Sequence, residues 1–275
     1  MRIRDGRSTS FSNGKGKMNR TIDITKCIGC GLCVDDCVNH YLLLDTNATG
    51  KRVATFQKYG RCLNCGHCNA ICPNTAITGG DLVEKIEDYD NLLSLIATKR
   101  SVRKYVKNSI IPQDELNKII LAAQSAPTDR NRKSARIVLV KEELPVLYNQ
   151  ALDWLVEEVK KTGTINPLYV PTMRLNANRN EILWNAEYLV VFIGSEKNII
   201  DSAISAERMQ LEACNLGIGT AYRGDMKNAI NNVSSLQEML EIKKNEFALV
   251  AFAMGITEIK YLRPAIKLNR KVVYK

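Results

Sequence analysis

The sequence predicts an α+β protein in which a small cysteine-rich domain precedes a larger one of helices packed on one sheet. Three observations predict it. Eight of the nine cysteines fall within 46 residues near the start of the chain. After Gly79-Gly80 the composition changes, and a charged stretch over residues 81–90 reads as a linker. Beyond it, strand-sized apolar runs at 136–141, 188–194 and 247–254 alternate with segments of helical periodicity. With 275 residues, 45% hydrophobic and 25% charged, the chain reads as a soluble globular protein with room for two domains. No apolar run approaches the ~18 residues of a membrane span. The expected boundaries are a basic tail at 1–19, the cysteine domain at 20–82 and the larger domain at 88–275.

Residues 1–20 carry Arg2, Arg4, Arg7, Lys15, Lys17 and Arg20 against Asp5 alone, half of the formal charge of +10. No apolar core follows these charges, so the segment is not a signal peptide. Residues 1–17 read as a disordered tail or cloning remnant, with Met18 a natural start. No aromatic or recognition motif accompanies the basic residues, which excludes nucleic acid as the expected partner.

The first cysteine group is Cys27-Ile-Gly-Cys30-Gly-Leu-Cys33-Val-Asp-Asp-Cys37, and the second is Cys62-Leu-Asn-Cys65-Gly-His-Cys68-Asn-Ala-Ile-Cys72-Pro73. Both read C-x2-C-x2-C-x3-C, and the second repeats the first 35 residues on. Thiolates are soft ligands suited to iron–sulfur clusters. Three cysteines at this spacing wrap one cube; the fourth lies too far along the chain and ligates the other cluster. Cys27, Cys30, Cys33 and Cys72 are therefore expected to hold one cluster, and Cys62, Cys65, Cys68 and Cys37 the other. Zinc sites favour two C-x2-C pairs across a longer gap, which this doubled register does not match. His67, between two ligands, is read as a neighbour of the cluster and not a ligand. Without an export signal, this cysteine usage points to a reducing, cytoplasmic setting. Residues 20–80 resemble the two-cluster bacterial ferredoxins, which implies two 4Fe–4S clusters.

In the larger domain, Ile111-Pro112-Gln-Asp-Glu115 reads as a helix start, with Pro in the first turn and acids favouring the helix dipole. Leu116, Ile119, Ile120 and Ala123 line one face of that helix. A second helix, about 203–216, is apolar on more than one face, which suits a deep core or a subunit interface. Cys214 on it reads as a small buried hydrophobe. Lys99-Arg100-Ser101-Val102-Arg103 sets three cations and a hydroxyl in five residues, a pattern that suits a phosphate. Gly217, Gly219 and Gly224 follow the long helix. They read either as a helix cap with a turn or as backbone cleared for a planar ligand.

Taken in order, these pieces resemble the nitroreductase family over residues 90–275. Lys99 to Tyr105 resembles its Arg-Arg-Ser-Val-Arg segment. Ala122-Ala-Gln-Ser-Ala-Pro127-Thr128-Asp-Arg-Asn131 resembles Ala-Pro-Ser-x-x-Asn. Gly217-Ile-Gly-Thr-Ala-Tyr222-Arg223-Gly224 resembles Gly-Leu-Gly-Thr-x-Trp-x-Gly. The chain departs from the pattern at Lys99, at residues 132–135 and at Tyr222. The resemblance implies a nitroreductase-type α+β domain that binds FMN. Lys99, Arg100, Ser101 and Arg103 would hold its phosphate, with Lys267 returning to it from the C-terminal segment. Pro127, Thr128 and Asn131 would approach the flavin. Tyr222, Arg223 and Gly224 would lie along its edge, with the Gly224 N–H toward N5. It also implies a homodimer. The expected activity is reduction of an electron-poor acceptor (a nitroaromatic, quinone or activated alkene) by electrons from reduced ferredoxin or a similar low-potential donor. No side chain is nominated as a general acid. The competing expectation is an electron-transfer adaptor that relays charge between proteins without a small-molecule substrate.

Overall fold

The computed structural model describes residues 20–58, 62–79, 82–83, 91–162, 182–264, 266–267 and 273–275. The basic tail at 1–19 and most of the expected linker lie outside the described residues. The chain forms two compact units, Met1–Lys99 with Lys260–Lys275, and Arg100–Ile259. The division falls elsewhere than the sequence reading puts it: the last sixteen residues, expected in the larger domain, cluster with the cysteine-rich unit.

The first unit repeats itself, as its cysteines do. Its elements are β1 (Arg20–Ile22), α1 (Leu32–Asp35), β2 (Leu42–Thr46), β3 (Arg52–Phe56), α2 (His67–Ile71) and β4 (Ile77–Gly79). Strands pair across the two copies, β1 antiparallel to β4 and β2 antiparallel to β3. The short helices start at Gly31 and Gly66, both in the left-handed region that glycine enters without steric cost. Between the first two cysteines of each copy another left-handed residue turns the chain: Gly29 in the first and Asn64 in the second. A side chain at Gly29 would begin 2.4 Å from the carbonyl oxygen of Arg52, which leaves glycine as the residue that fits. Ile22, Leu42, Val53, Phe56, Ile71 and Ile77 make the core. Helix α3 (Asn91–Thr98) follows the expected periodicity, yet Leu92, Leu93 and Ile96 are exposed. β5 (Leu82–Val83) pairs with β10 (Ile266–Lys267), which holds the C-terminal segment to this unit.

The second unit contains α4 (Gln113–Gln124), β6 (Arg136–Val140), α5 (Leu144–Thr162), β7 (Tyr188–Gly194), α6 (Ile199–Asn215), β8 (Ile218–Tyr222), α7 (Gly224–Asn232), α8 (Ser234–Met239) and β9 (Phe247–Ile256). Four strands form one antiparallel sheet in the order β6-β7-β9-β8. Leu116, Ile119 and Ala123 of α4 and Ala206, Met209 and Ala213 of α6 bury Val190, Phe192, Phe252 and Met254 on one side of the sheet. Residues 189–193 of β7 are buried without alternation, which is why that run reads as continuously apolar in the sequence. Among the described residues no helix is long and apolar enough to cross a membrane.

Two elements differ from the sequence reading. Helix α6 begins at Ile199, four residues early, because Ser195 and Asn198 form a reciprocal capping box around the preceding turn. Its core face carries Ser202, Ala206, Met209 and Ala213, while Ile200 and Ile204 are exposed and Cys214 is half-buried. The glycine-rich stretch is a strand, β8, with only Gly217 serving as the helix cap (φ +76°). Gly219 is required inside the strand because a Cβ there would lie 2.9 Å from Val102 Cγ1 and 3.0 Å from Thr257 Cγ2. Gly219→Ala should therefore destabilise the protein by about 1–3 kcal/mol through overpacking. Denaturant melts of the single and double variants should show Val102→Ala recovering part of that loss; strictly additive effects would refute the contact as the cause.

Candidate functional site

The eight cysteines gather in two places within the first unit. Cys27, Cys30, Cys33 and Cys72 line one cavity with Gly29, Gly31, Leu44 and Ala54. Cys37, Cys62, Cys65 and Cys68 line a second with Arg20, Tyr41, Phe56 and His67. The fourth cysteine of each copy thus faces the cavity of the other. Among the described residues no three His, Cys, Asp or Glu side chains converge as a single metal ion needs. Each set of four instead lines a cavity of its own.

Backbone N–H groups are directed at four of these sulfurs, and one pair of donors is related by the repeat. Tyr41 N donates to Cys37 Sγ at 3.2 Å, and Ala76 N donates to Cys72 Sγ at 3.3 Å. Ala54 N reaches Cys27 Sγ and Asn64 N reaches Cys62 Sγ. Burial, with the neighbouring cysteines adding, pushes the Cys33 thiol up to about 12. Burial pushes Cys68 up to about 11, while the Arg20 cation acts in the opposite sense. Burial thus favours the thiol form of Cys33 and Cys68 until a cationic metal takes the proton's place.

The C-terminal segment closes over α2. Leu262 N donates to Ala70 O at 2.9 Å, and Arg263 Nη1 donates to Cys72 O at 2.8 Å. The Tyr261 hydroxyl donates to the Asp36 carboxylate, and the Tyr261 ring meets His67 edge-on at 5.5 Å. His67 therefore sits beside the second cavity as an aromatic neighbour.

In the second unit the basic segment is fastened to β8. Ser101 bridges Thr220 in parallel, and Val102 N donates to Thr220 O at 2.8 Å. This brings Arg100, Ser101 and Arg103 alongside the strand that ends at Tyr222 and leads into Arg223 and Gly224. Lys99, which closes the turn after α3, belongs to the first unit. Arg103 leans on Ser101 O at 3.5 Å. Arg223 is 1% exposed, forks onto the Asp225 carboxylate and lies 4.7 Å over the Trp184 ring. Gly224 opens α7, and a Cβ there would meet nothing within 4 Å, so the start of the helix is open to a ligand. Tyr222 is half-exposed and donates to Glu207 Oε2 at 3.3 Å. Desolvation of its hydroxyl and the Glu207 carboxylate push its phenol up to about 12, so it stays protonated at neutral pH. Behind it the buried Gln210 accepts from Thr220 Oγ1 at 3.1 Å.

The segment that holds Pro127, Thr128 and Asn131 is anchored to α6. Asp129 N donates to Asp201 at the start of α6, and Arg208 donates to Ser125 O. Thr128 borders a cavity of about 490 Å³ between α4, α6 and β6. The backbone of Lys267 pairs with Leu82 in the first unit, and its side chain lies outside the described residues. Sequence reasoning missed Arg20, Trp184, Gln210 and Asp225. Asp225 was discoverable from its place two residues after Arg223, and Gln210 from its polar side chain on a helix face otherwise apolar.

Comparison with known proteins agrees with this division. Residues 96–256 match the nitroreductase family, and residues 26–76 match the 4Fe-4S dicluster domain. The chain belongs to the nitroreductase family and carries a ferredoxin-type dicluster domain ahead of it. It is 25% identical over 179 residues to an FMN reductase (NADPH) of Bacillus subtilis, covering 60% of this chain and 66% of that protein. It spans about two thirds of the length of that relative. Over 56 residues it is 41% identical to an uncharacterised ferredoxin of Methanocaldococcus jannaschii, covering 20% of this chain and 70% of that protein. A nitroreductase with bound FMN from Bacteroides fragilis shares the fold, with a TM-score of 0.54 at 21% identity over 68% of this chain and 100% of that one.

The Arg223–Asp225 pair supports the turn between β8 and α7. Removing its carboxylate takes the ion pair from a buried cation, so Asp225→Ala should destabilise the fold by about 3 kcal/mol. Unfolding by denaturant checks this; a loss below about 1 kcal/mol would show that the carboxylate is not what holds the guanidinium.

Proposed function

We propose that the chain is an FMN-dependent oxidoreductase that draws electrons through two 4Fe–4S clusters and passes them to an electron-poor small molecule. The observation that carries this reading is that both halves of the machinery are prepared in one chain. Each crossed cysteine set rings its own cavity, and a basic segment is bridged to the strand that leads into the open start of α7. When bound, the clusters supply one-electron transfer and FMN converts single electrons into a two-electron reduction.

Within this reading Cys27, Cys30, Cys33 and Cys72 hold one cluster and Cys37, Cys62, Cys65 and Cys68 the other. Arg100, Ser101 and Arg103 hold the FMN phosphate, with Lys99 and Lys267 adding positive charge. The Gly224 N–H and the flanking Arg223 and Tyr222 border the ring. Tyr222, protonated at neutral pH, has a hydroxyl to offer a reduced product, while Glu207 orients it. Pro127, Thr128 and Asn131, in the segment anchored to α6, approach the flavin, and a second subunit completes the site. The exposed Ile200 and Ile204 on α6 supply apolar surface for that homodimer. The acceptor classes are nitroaromatics, quinones and activated alkenes. The donor is a reduced ferredoxin or a similar protein, which the formal charge of +10 would attract if its surface is acidic.

Anaerobically purified protein should carry about eight irons and eight sulfides per chain, together with one FMN. Cys72→Ala should lose the cluster shared with Cys27, Cys30 and Cys33 and retain the other; loss of the other cluster alone would overturn the crossed assignment. Arg103→Ala should weaken FMN binding about tenfold to a hundredfold while leaving the iron content unchanged.

The donor is tested by stopped-flow reduction of the flavin. Reduced ferredoxin should act faster than NADH or NADPH, and its rate should fall as salt rises. Equal rates with NADPH, the donor in the relatives' names, would remove the dicluster domain as the main entry for electrons. Reducible clusters and flavin with no turnover of any acceptor would favour the adaptor.

A further inference from the structure

The surroundings of the two cysteine sets repeat along with the sets themselves. Tyr41 and Ala76 donate to Cys37 and Cys72 from positions 35 residues apart, and Gly31 and Gly66 open α1 and α2 in the same conformation. One charged group breaks the repeat. Arg20, on β1, is 1% exposed, and its Nη1 donates to Cys68 Sγ at 3.4 Å. Its Nε and Nη2 both donate to Asn64 Oδ1, at 3.0 and 2.8 Å. These partners are a sulfur and a neutral amide, and among the described residues no carboxylate pairs with it. The repeat-related position, 35 residues on, is the uncharged Thr55.

The anchor breaks the repeat as well. Asn64 corresponds to Gly29, where the Arg52 carbonyl leaves no space for a side chain. The first copy therefore lacks both the guanidinium and the amide that would hold it. Arg263, the cation near Cys72, binds that residue's carbonyl oxygen, not its sulfur.

A cluster held by four thiolates becomes more negative by one charge when it takes up an electron. Net charge and hydrogen bonds to the sulfurs set the potential at which it does so. A buried cation on a ligand sulfur, shielded from water, favours the added electron. We propose that Arg20 makes the site of Cys37, Cys62, Cys65 and Cys68 the more easily reduced of the two. One electron entering the domain from a low-potential donor then rests there, before the site of Cys27, Cys30, Cys33 and Cys72 fills. The donor loses that electron, and no bond or proton changes place. Arg20 is a positioning residue that acts through Cys68, and the inference rests on each cysteine set holding a cluster.

The test uses the full-length, anaerobically loaded chain and its Arg20→Met and Arg20→Lys variants. Iron and sulfide are counted first, and a dithionite titration followed by electron paramagnetic resonance then gives both midpoints. Cys65→Ser identifies which signal belongs to the Arg20 site. With iron and sulfide unchanged, Arg20→Met should shift the equilibrium at that site at least tenfold against reduction, a fall of about 59 mV for one electron. Arg20→Lys, which keeps the charge, should restore most of it. Unchanged midpoints, or a fall confined to the Cys27 site, would overturn the inference. If Arg20→Met loses its iron, Asn64→Ala decides, because it frees the guanidinium from its anchor: a shift below threefold there overturns the inference. Wild-type protein without eight irons would instead defeat the cluster reading itself.

Discussion

A fourth thiol set four residues past a C-x2-C-x2-C turn cannot close on the space that the first three enclose, and the cysteine-rich unit is organised around where that thiol goes. Cys37 leaves its own copy and lines the cavity of Cys62, Cys65 and Cys68, while Cys72 makes the return crossing. Neither copy is complete without the other. The strand pairing obeys the same exchange, since β1 joins β4 and β2 joins β3. A domain of about 60 residues buries too small a share of its surface for the apolar core to dominate its stability. On the proposed ligand assignment, metal–ligand bonds joining both halves would supply what such a core lacks.

The second unit solves a different problem, bringing a basic loop against a strand closely enough to share a site. The Ser101–Thr220 bridge does this, and it requires the missing side chain of Gly219. The glycines of this stretch have three separate duties. Gly217 caps a helix, Gly219 admits Val102, and Gly224 leaves the start of α7 clear. Directly between the last two, Arg223 is buried under Trp184 and pinned by Asp225, so the turn that carries Tyr222 and Gly224 has a rigid base.

What the sequence makes legible follows from how local each cause is. The two cysteine sets follow from chain reach alone, and β7, β9 and α4 from uninterrupted apolar patterning. Strand β8 was hidden because Gly217 and Gly219 weaken any strand signal, and the partner that accounts for Gly219 lies over a hundred residues earlier. The true start of α6 depended on a capping box at Ser195 and Asn198 that the apolar pattern does not reveal. Arg20 counted only as one more cation of the basic tail; its burial against Cys68 depends on Asn64, 44 residues away. Ser125 and Asp129 are tied to α6 through Arg208 and Asp201, more than seventy residues further on, contacts that no local pattern in the sequence reveals.

The hold of residues 261–263 on α2 makes the cysteine-rich unit discontinuous along the chain, with the entire second unit inserted into it. Such an arrangement is not two beads on a string. On the ribosome, all eight cysteines emerge ahead of the second unit, but the residues that close over α2 follow nearly two hundred residues after Cys72. The cysteines are therefore made before their cover by the whole length of the second unit. Gene rearrangement faces the mirror image of this: moving the first hundred codons elsewhere would transfer the ligands and leave their cover behind.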